Sequence, residues 1–141
     1  MFMNKEQSAK PARVSRKAWA IIGLHAFVGW ALCTASMALG MATTTIENAL
    51  IIHAVAAPII FTAVSLVYFR RFDYTSPLPT AAIFVGFVIF MDLFVVAMIV
   101  LGNFEMFASL LGTWIPFSLI FASTYVTGTF IQRNKQAVSV A

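Results

Sequence analysis

Four long apolar stretches, separated by short polar breaks, dominate the pattern of this chain. They cover about 18–42, 46–69, 79–101 and 105–131. Each reaches the ~20 residues that an α-helix needs to cross a ~30 Å hydrocarbon core. None alternates apolar and polar positions over ~10 residues, as a barrel strand would. The pattern predicts an all-α integral membrane protein, an antiparallel four-helix transmembrane bundle. The bundle spans 18–131, flanked by a basic tail at 1–17 and a second tail at 132–141.

The breaks carry stop and start signals. Thr43, Thr44 and Thr45 close the first run, and Thr44 with Glu47 has capping-box spacing for the second. Ser76-Pro77 reads as an N-cap followed by proline at the first helical position. Gly102-Asn103 ends the third run. Glu105 opens the fourth, where a negative charge suits the helix dipole. Connections this short predict that successive helices are antiparallel neighbours.

Composition sharpens the class. The chain is 61% hydrophobic and 10% charged, with a mean hydropathy of +0.91, whereas soluble domains carry roughly 25% charged residues. So few charges cannot coat a globule, and the lipid bilayer must serve as partner and solvent. The net charge of +4 does not point to nucleic acid, because the basic residues sit beside apolar runs, where they set topology. Lys5, Lys10, Arg13, Arg16 and Lys17 precede the first run, Arg70 and Arg71 lie in the middle loop, and Arg133 and Lys135 follow the last. The other two loops have none. By the positive-inside rule both termini are cytoplasmic and the protein belongs in the cell membrane. Trp19, Tyr68, Tyr74 and Phe130 fall where the inner aromatic belt belongs. The first run exceeds the ~7–15 residues of a signal-peptide core and is read as a retained helix.

Candidate chemistry comes from the few polar residues inside the runs, because ionisable groups in hydrocarbon are costly and face the bundle interior. At 1.5 Å per residue, His53 lies about 9 Å and Asp92 about 15 Å from the outer boundary. Ser36 and Thr113 fall near the Asp92 level, with Glu47, Asn103 and Glu105 above. This layout predicts a polar vestibule in which Asp92 pairs with His53 and handles a proton or cation, together with Ser36, Thr113 and Glu105. His25 lies deeper and is read as structural, beside Thr62, Ser65, Ser123 or Thr124. Glu47 and Asn103 are read as structural too. Small and polar positions form stripes on the first helix (His25, Gly29, Cys33, Ser36, Gly40, Thr43) and on the fourth (Glu105, Ser109, Gly112, Pro116, Ser123, Thr127). Such stripes let helices approach closely in lipid. Pro58 and Pro116 each free a carbonyl one turn earlier.

Several functions are excluded. His25 and His53 lie in opposite halves of the membrane and cannot share a haem within one chain. No Glu-x-x-His pair marks a carboxylate-bridged metal centre; His53, Asp92 and Glu105 are the one combination left for a single metal. The lone cysteine, Cys33, supports neither a disulfide framework nor a multi-cysteine zinc site. Serine, cysteine and phosphate-loop motifs are absent, so no cofactor is expected and an enzyme is the weaker reading. Two readings stand. One is a small proton- or cation-coupled transporter or channel-like protein, working as a homo-oligomer because four helices enclose little room. The alternative is a non-catalytic membrane subunit or assembly partner of a larger complex.

Overall fold

The structure, a computed structural model, describes residues 15–140. Lys5, Lys10 and Arg13 of the expected basic tail lie outside that range. Four helices form the fold: α1 (Arg16–Thr43), α2 (Ile46–Arg71), α3 (Pro77–Met91) and α4 (Ile115–Val140). The α3 helix continues as a wider, i→i+5 bonded helix over Asp92–Leu101. The resulting four spans pack antiparallel, and each is long and apolar enough to cross a membrane.

Local chemistry sets the ends. Ser15 starts α1 by accepting a 3.1 Å hydrogen bond from the Ala18 N–H. Only Thr44 and Thr45 separate α1 from α2. The cap of α2 is Thr45, whose hydroxyl accepts from the Asn48 N–H at 3.3 Å. The expected Thr44–Glu47 capping box is therefore displaced by one residue. Because the helix begins at Ile46, Asn48 occupies the third position, and Glu47 stands exposed. Ser76 and Pro77 open α3 as the spacing predicts. Gly102 closes its extension with φ +69°, a left-handed conformation that glycine adopts without strain.

The fourth run departs from expectation. Instead of one helix from 105 it begins with a 3₁₀ turn, Glu105–Ala108, and an extended Ser109. The chain then re-enters helix through a wide turn, Leu110–Trp114. Side chains downstream stabilise this break. Thr113 donates to the Met106 carbonyl at 2.6 Å and the Trp114 indole to the Phe107 carbonyl at 2.9 Å. Ser109 accepts from the Gly112 N–H at 2.9 Å. Carbonyls that a continuous helix would have bonded internally are satisfied by side chains further along the run. At its other end α4 stays helical to Val140, past the expected end at 131.

The helices stand in the ring order α1, α2, α4, α3. The extensive contacts are α2 with α4, α1 with α2, α3 with α4 and α1 with α3. Thus α2 and α3, though joined by the short loop 72–76, face each other across a diagonal rather than as neighbours. Large rings fill that diagonal: Phe84 of α3 meets Phe61 at 5.9 Å and Tyr68 at 6.0 Å, and all three are fully buried. Where helix axes converge, small residues sit. A Cβ at Gly29 would lie 2.6 Å from the Phe61 ring, one at Gly40 3.1 Å from the Ala49 Cα, and one at Gly128 2.6 Å from the Phe69 ring. The small stripe of α1 is thus its packing face toward α2. The buried face of α4 is Pro116, Phe117, Ile120, Thr124, Gly128 and Ile131; it shares Pro116 with the predicted stripe but is rotated from it, leaving Ser123 and Thr127 half-buried at its edge. Large apolar side chains such as Leu39, Ile59, Ile99 and Leu110 point outward, as lipid contact requires.

Candidate functional site

Polar residues of the half away from the basic loop meet α1. Trp30, Cys33 and Ser36 recur at a spacing of three, each step turning about 60° around the helix, so that Trp30 reaches α3 while Ser36 reaches α2. The Trp30 indole donates a 2.8 Å hydrogen bond to Asp92 Oδ1 on α3. Ser36 Oγ donates to the Cys33 carbonyl of its own helix at 2.7 Å and stands 3.5 Å from His53 Nδ1 on α2. Cys33 is buried between them, its carbonyl accepting from Ser36. Helix α1 therefore meets the carboxylate of α3 through Trp30 and the imidazole of α2 through Ser36, six residues further along.

Asp92 and His53 are both half-buried. No hydrogen bond or ion pair joins them among the described residues. The direct pair that similar depth predicts is not formed; their association runs through α1, which stands between them. The carboxylate sits where α3 changes from α-helical to wider turns. Such insertions into helices are frequent at functional sites. Each group commits one atom inward; Asp92 Oδ2 and His53 Nε2 have no partner among the described residues.

The remaining predicted members are elsewhere. Thr113 is buried and spent on Met106. Glu105 is exposed on the outer 3₁₀ turn, its N–H bonded to the Asn103 side chain at 3.0 Å. Asn103 is exposed and also donates to the Leu101 carbonyl. Among the described residues, no group of three His, Cys, Asp or Glu is placed to hold a metal. The His53–Asp92–Glu105 combination is not assembled, because the outer turn carries Glu105 to the surface.

His25 packs among rings rather than hydroxyls. Its Nδ1 is 2.7 Å from the Ile21 carbonyl, and its ring meets Tyr68 and Phe72 edge-on at 5.6 and 5.3 Å. Ser65 and Thr124, two of its expected neighbours, are fully buried with hydroxyls that have no partner.

Two residues that the pattern of the chain does not single out matter most. Trp30 is the donor that meets Asp92; an indole N–H needs an acceptor when buried, and that need is the signal that points to it. Asp73, in the loop 72–76, anchors the other end of the bundle. Its Oδ1 accepts from Gln132 at 2.8 Å and its Oδ2 from Lys135 at 3.2 Å. Lys135 also donates to the Phe69 carbonyl at 2.6 Å, where a cation complements the C-terminal end of α2. Its signal is one acidic residue in an otherwise basic loop. Beside it, Tyr68, Thr75 and Thr80 form a hydroxyl chain of 2.8 and 2.5 Å that fastens the loop beneath the diagonal.

Four apolar spans packed as one bundle define a small multi-pass membrane protein. Comparison with family models, with curated proteins and with solved structures gave no match to the chain.

Proposed function

We propose that this chain is a non-catalytic membrane subunit that works by association with other membrane helices, its intramembrane polar groups setting the register of the bundle. One observation carries this reading. The interior between α2 and α3 is filled by the rings of Phe61, Tyr68 and Phe84, all without exposure, so packed aromatic side chains rather than polar groups occupy this part of the bundle among the described residues. The Trp30–Asp92 and Ser36–His53 contacts join α1 to both its neighbours, as buried polar pairs do when they specify one arrangement. Native mass spectrometry after gentle extraction tests it: a stable heteromeric complex is expected, and a monomer or homo-oligomer carrying no other chain overturns it.

A second reading, proton or cation handling, is favoured by Asp92 Oδ2 and His53 Nε2, which remain unengaged on half-buried side chains. It requires a homo-oligomer that supplies the rest of the path. Flux through purified protein in liposomes separates the two. Asp92→Asn, which keeps a hydrogen-bonding amide but cannot titrate, abolishes flux under this reading and leaves assembly intact. Wild-type protein without flux across a range of ions returns the choice to the subunit.

The orientation follows the positive-inside rule: the tails 1–17 and 132–141 and the Arg70–Arg71 loop face the cytoplasm. Cysteines placed at Thr44 and Asn103 should react with an impermeant thiol reagent added outside. Protection of both, with reaction at position 134, reverses the assignment.

A further inference from the structure

The basic end of the bundle carries a groove that neither functional reading uses. It is a shallow, open groove of about 420 Å³ between the last turn of α2 and the extension of α4, lined by Arg70, Phe130, Ile131, Asn134, Lys135, Val138 and Ser139. Its composition is divided. Phe130 presents an exposed ring and Ile131 adds apolar wall. Arg70, Asn134, Lys135 and Ser139 contribute cations and hydrogen-bond donors. The groove opens at the end of the spans where Trp19 and Tyr74 are exposed, as aromatic residues are at the membrane–water boundary.

We infer that this groove binds the headgroup of an anionic phospholipid, with the acyl chains descending along Phe130. A lipid phosphate needs cations beside an apolar wall, and the groove brings Arg70 and Lys135 together with Phe130 and Ile131. Basic pockets between helices at a membrane boundary are suited to anionic headgroups. Lys135 is held in place by the Phe69 carbonyl and Asp73. Asp73 offsets much of its charge, so Arg70, which has no ion pair among the described residues, is the principal cation. A bidentate guanidinium also suits a phosphate better than a point charge does. Ordering of α4 to Val140 is part of the site, because Asn134 and Ser139 lie on the extension.

The test uses the full chain, purified in detergent and stripped of lipid, with native mass spectrometry of added phosphatidylglycerol, phosphatidylcholine or inorganic phosphate. Phosphatidylglycerol should remain bound at activation energies that remove phosphatidylcholine. Arg70→Gln should weaken its retention about five-fold, equivalent to the ~1 kcal/mol of one basic residue near an anionic surface. Arg16→Gln, at the same end but outside the groove, should leave retention unchanged, and both variants should match wild type in helical content by circular dichroism. Equal retention of the two lipids overturns the site. So does an equal loss from Arg16→Gln, which would mark general charge attraction. Displacement of the lipid by excess inorganic phosphate would show a free-anion site and overturn the lipid assignment.

Discussion

The two ends of this bundle are held by different physics. In the half away from the basic loop, Asp92 and His53 each meet α1 through a single side-chain contact and stay half-buried. At the basic end, Asp73 binds two residues of α4 at once, Lys135 caps α2, and Phe69 packs its ring on Gly128. Single polar contacts in a membrane contribute little, on average about 0.6 kcal/mol. Interlocked rings and backbone caps cannot be removed one at a time. The bundle is therefore held most firmly at its close-packed, doubly anchored end, while the unengaged polar atoms of Asp92 and His53 lie in the other.

The largest expected effect breaks the rigid end. A Cβ at Gly128 would stand 2.6 Å from the Phe69 ring and 2.9 Å from the Pro77 Cβ. Gly128→Val should cost about 3 kcal/mol by overpacking, measured as a fall in unfolding free energy in mixed micelles. Gly112→Ala, in the outer half, meets only the tips of Leu50 and Ser109 and should cost well under half as much. Equal losses would erase the contrast between the ends.

A smaller effect isolates the anchor. Asp73 adopts φ 50°, a conformation glycine takes freely and alanine does not. Asp73→Gly removes the contacts to Gln132 and Lys135 while keeping the turn, and should destabilise by about 1 kcal/mol, within the range for a partly exposed ion pair. Asp73→Ala adds backbone strain of about 1–2 kcal/mol. If the two variants unfold alike, the left-handed turn adds no strain and the lost contacts to Gln132 and Lys135 carry the whole effect.

In the outer cluster, Trp30→Phe deletes the donor to Asp92 and keeps an aromatic ring. A loss of about 0.6 kcal/mol and no more than ~1.7 kcal/mol is expected. The smallest effect belongs to Asp92→Asn, whose amide can still accept from the indole; stability should stay within ~0.6 kcal/mol of wild type. A large loss would mean that the carboxylate's charge, rather than its hydrogen bond, holds α1 to α3.

The candidate site is partly legible in the sequence. Counting residues at a fixed rise places Ser36 and His53 in the same half of the bundle, and their side chains meet, whereas Asp92 meets Trp30 instead. Thr113 has a different partner, because the break at Ser109 turns its hydroxyl to Met106. Glu105 marks a helix start that the chain does not form. The Asp73–Lys135 anchor joins residues 62 positions apart, a separation that no local pattern reports.

Hydropathy and turn chemistry by themselves determined that four spans exist and where the first three of them end. Those properties are local: a span needs only enough consecutive apolar residues, and a break needs only its own caps, glycine and proline. Ring order, helix rotation and polar partners were decided by tertiary packing. A helix that is apolar on every side carries no stripe to say which side is inward, since lipid accepts leucine as readily as a neighbouring helix does. The choice fell to shape: glycines at Gly29, Gly40 and Gly128 brought α1 to α2 and α2 to α4, and the rings of Phe61, Tyr68 and Phe84 held α2 and α3 apart across the diagonal.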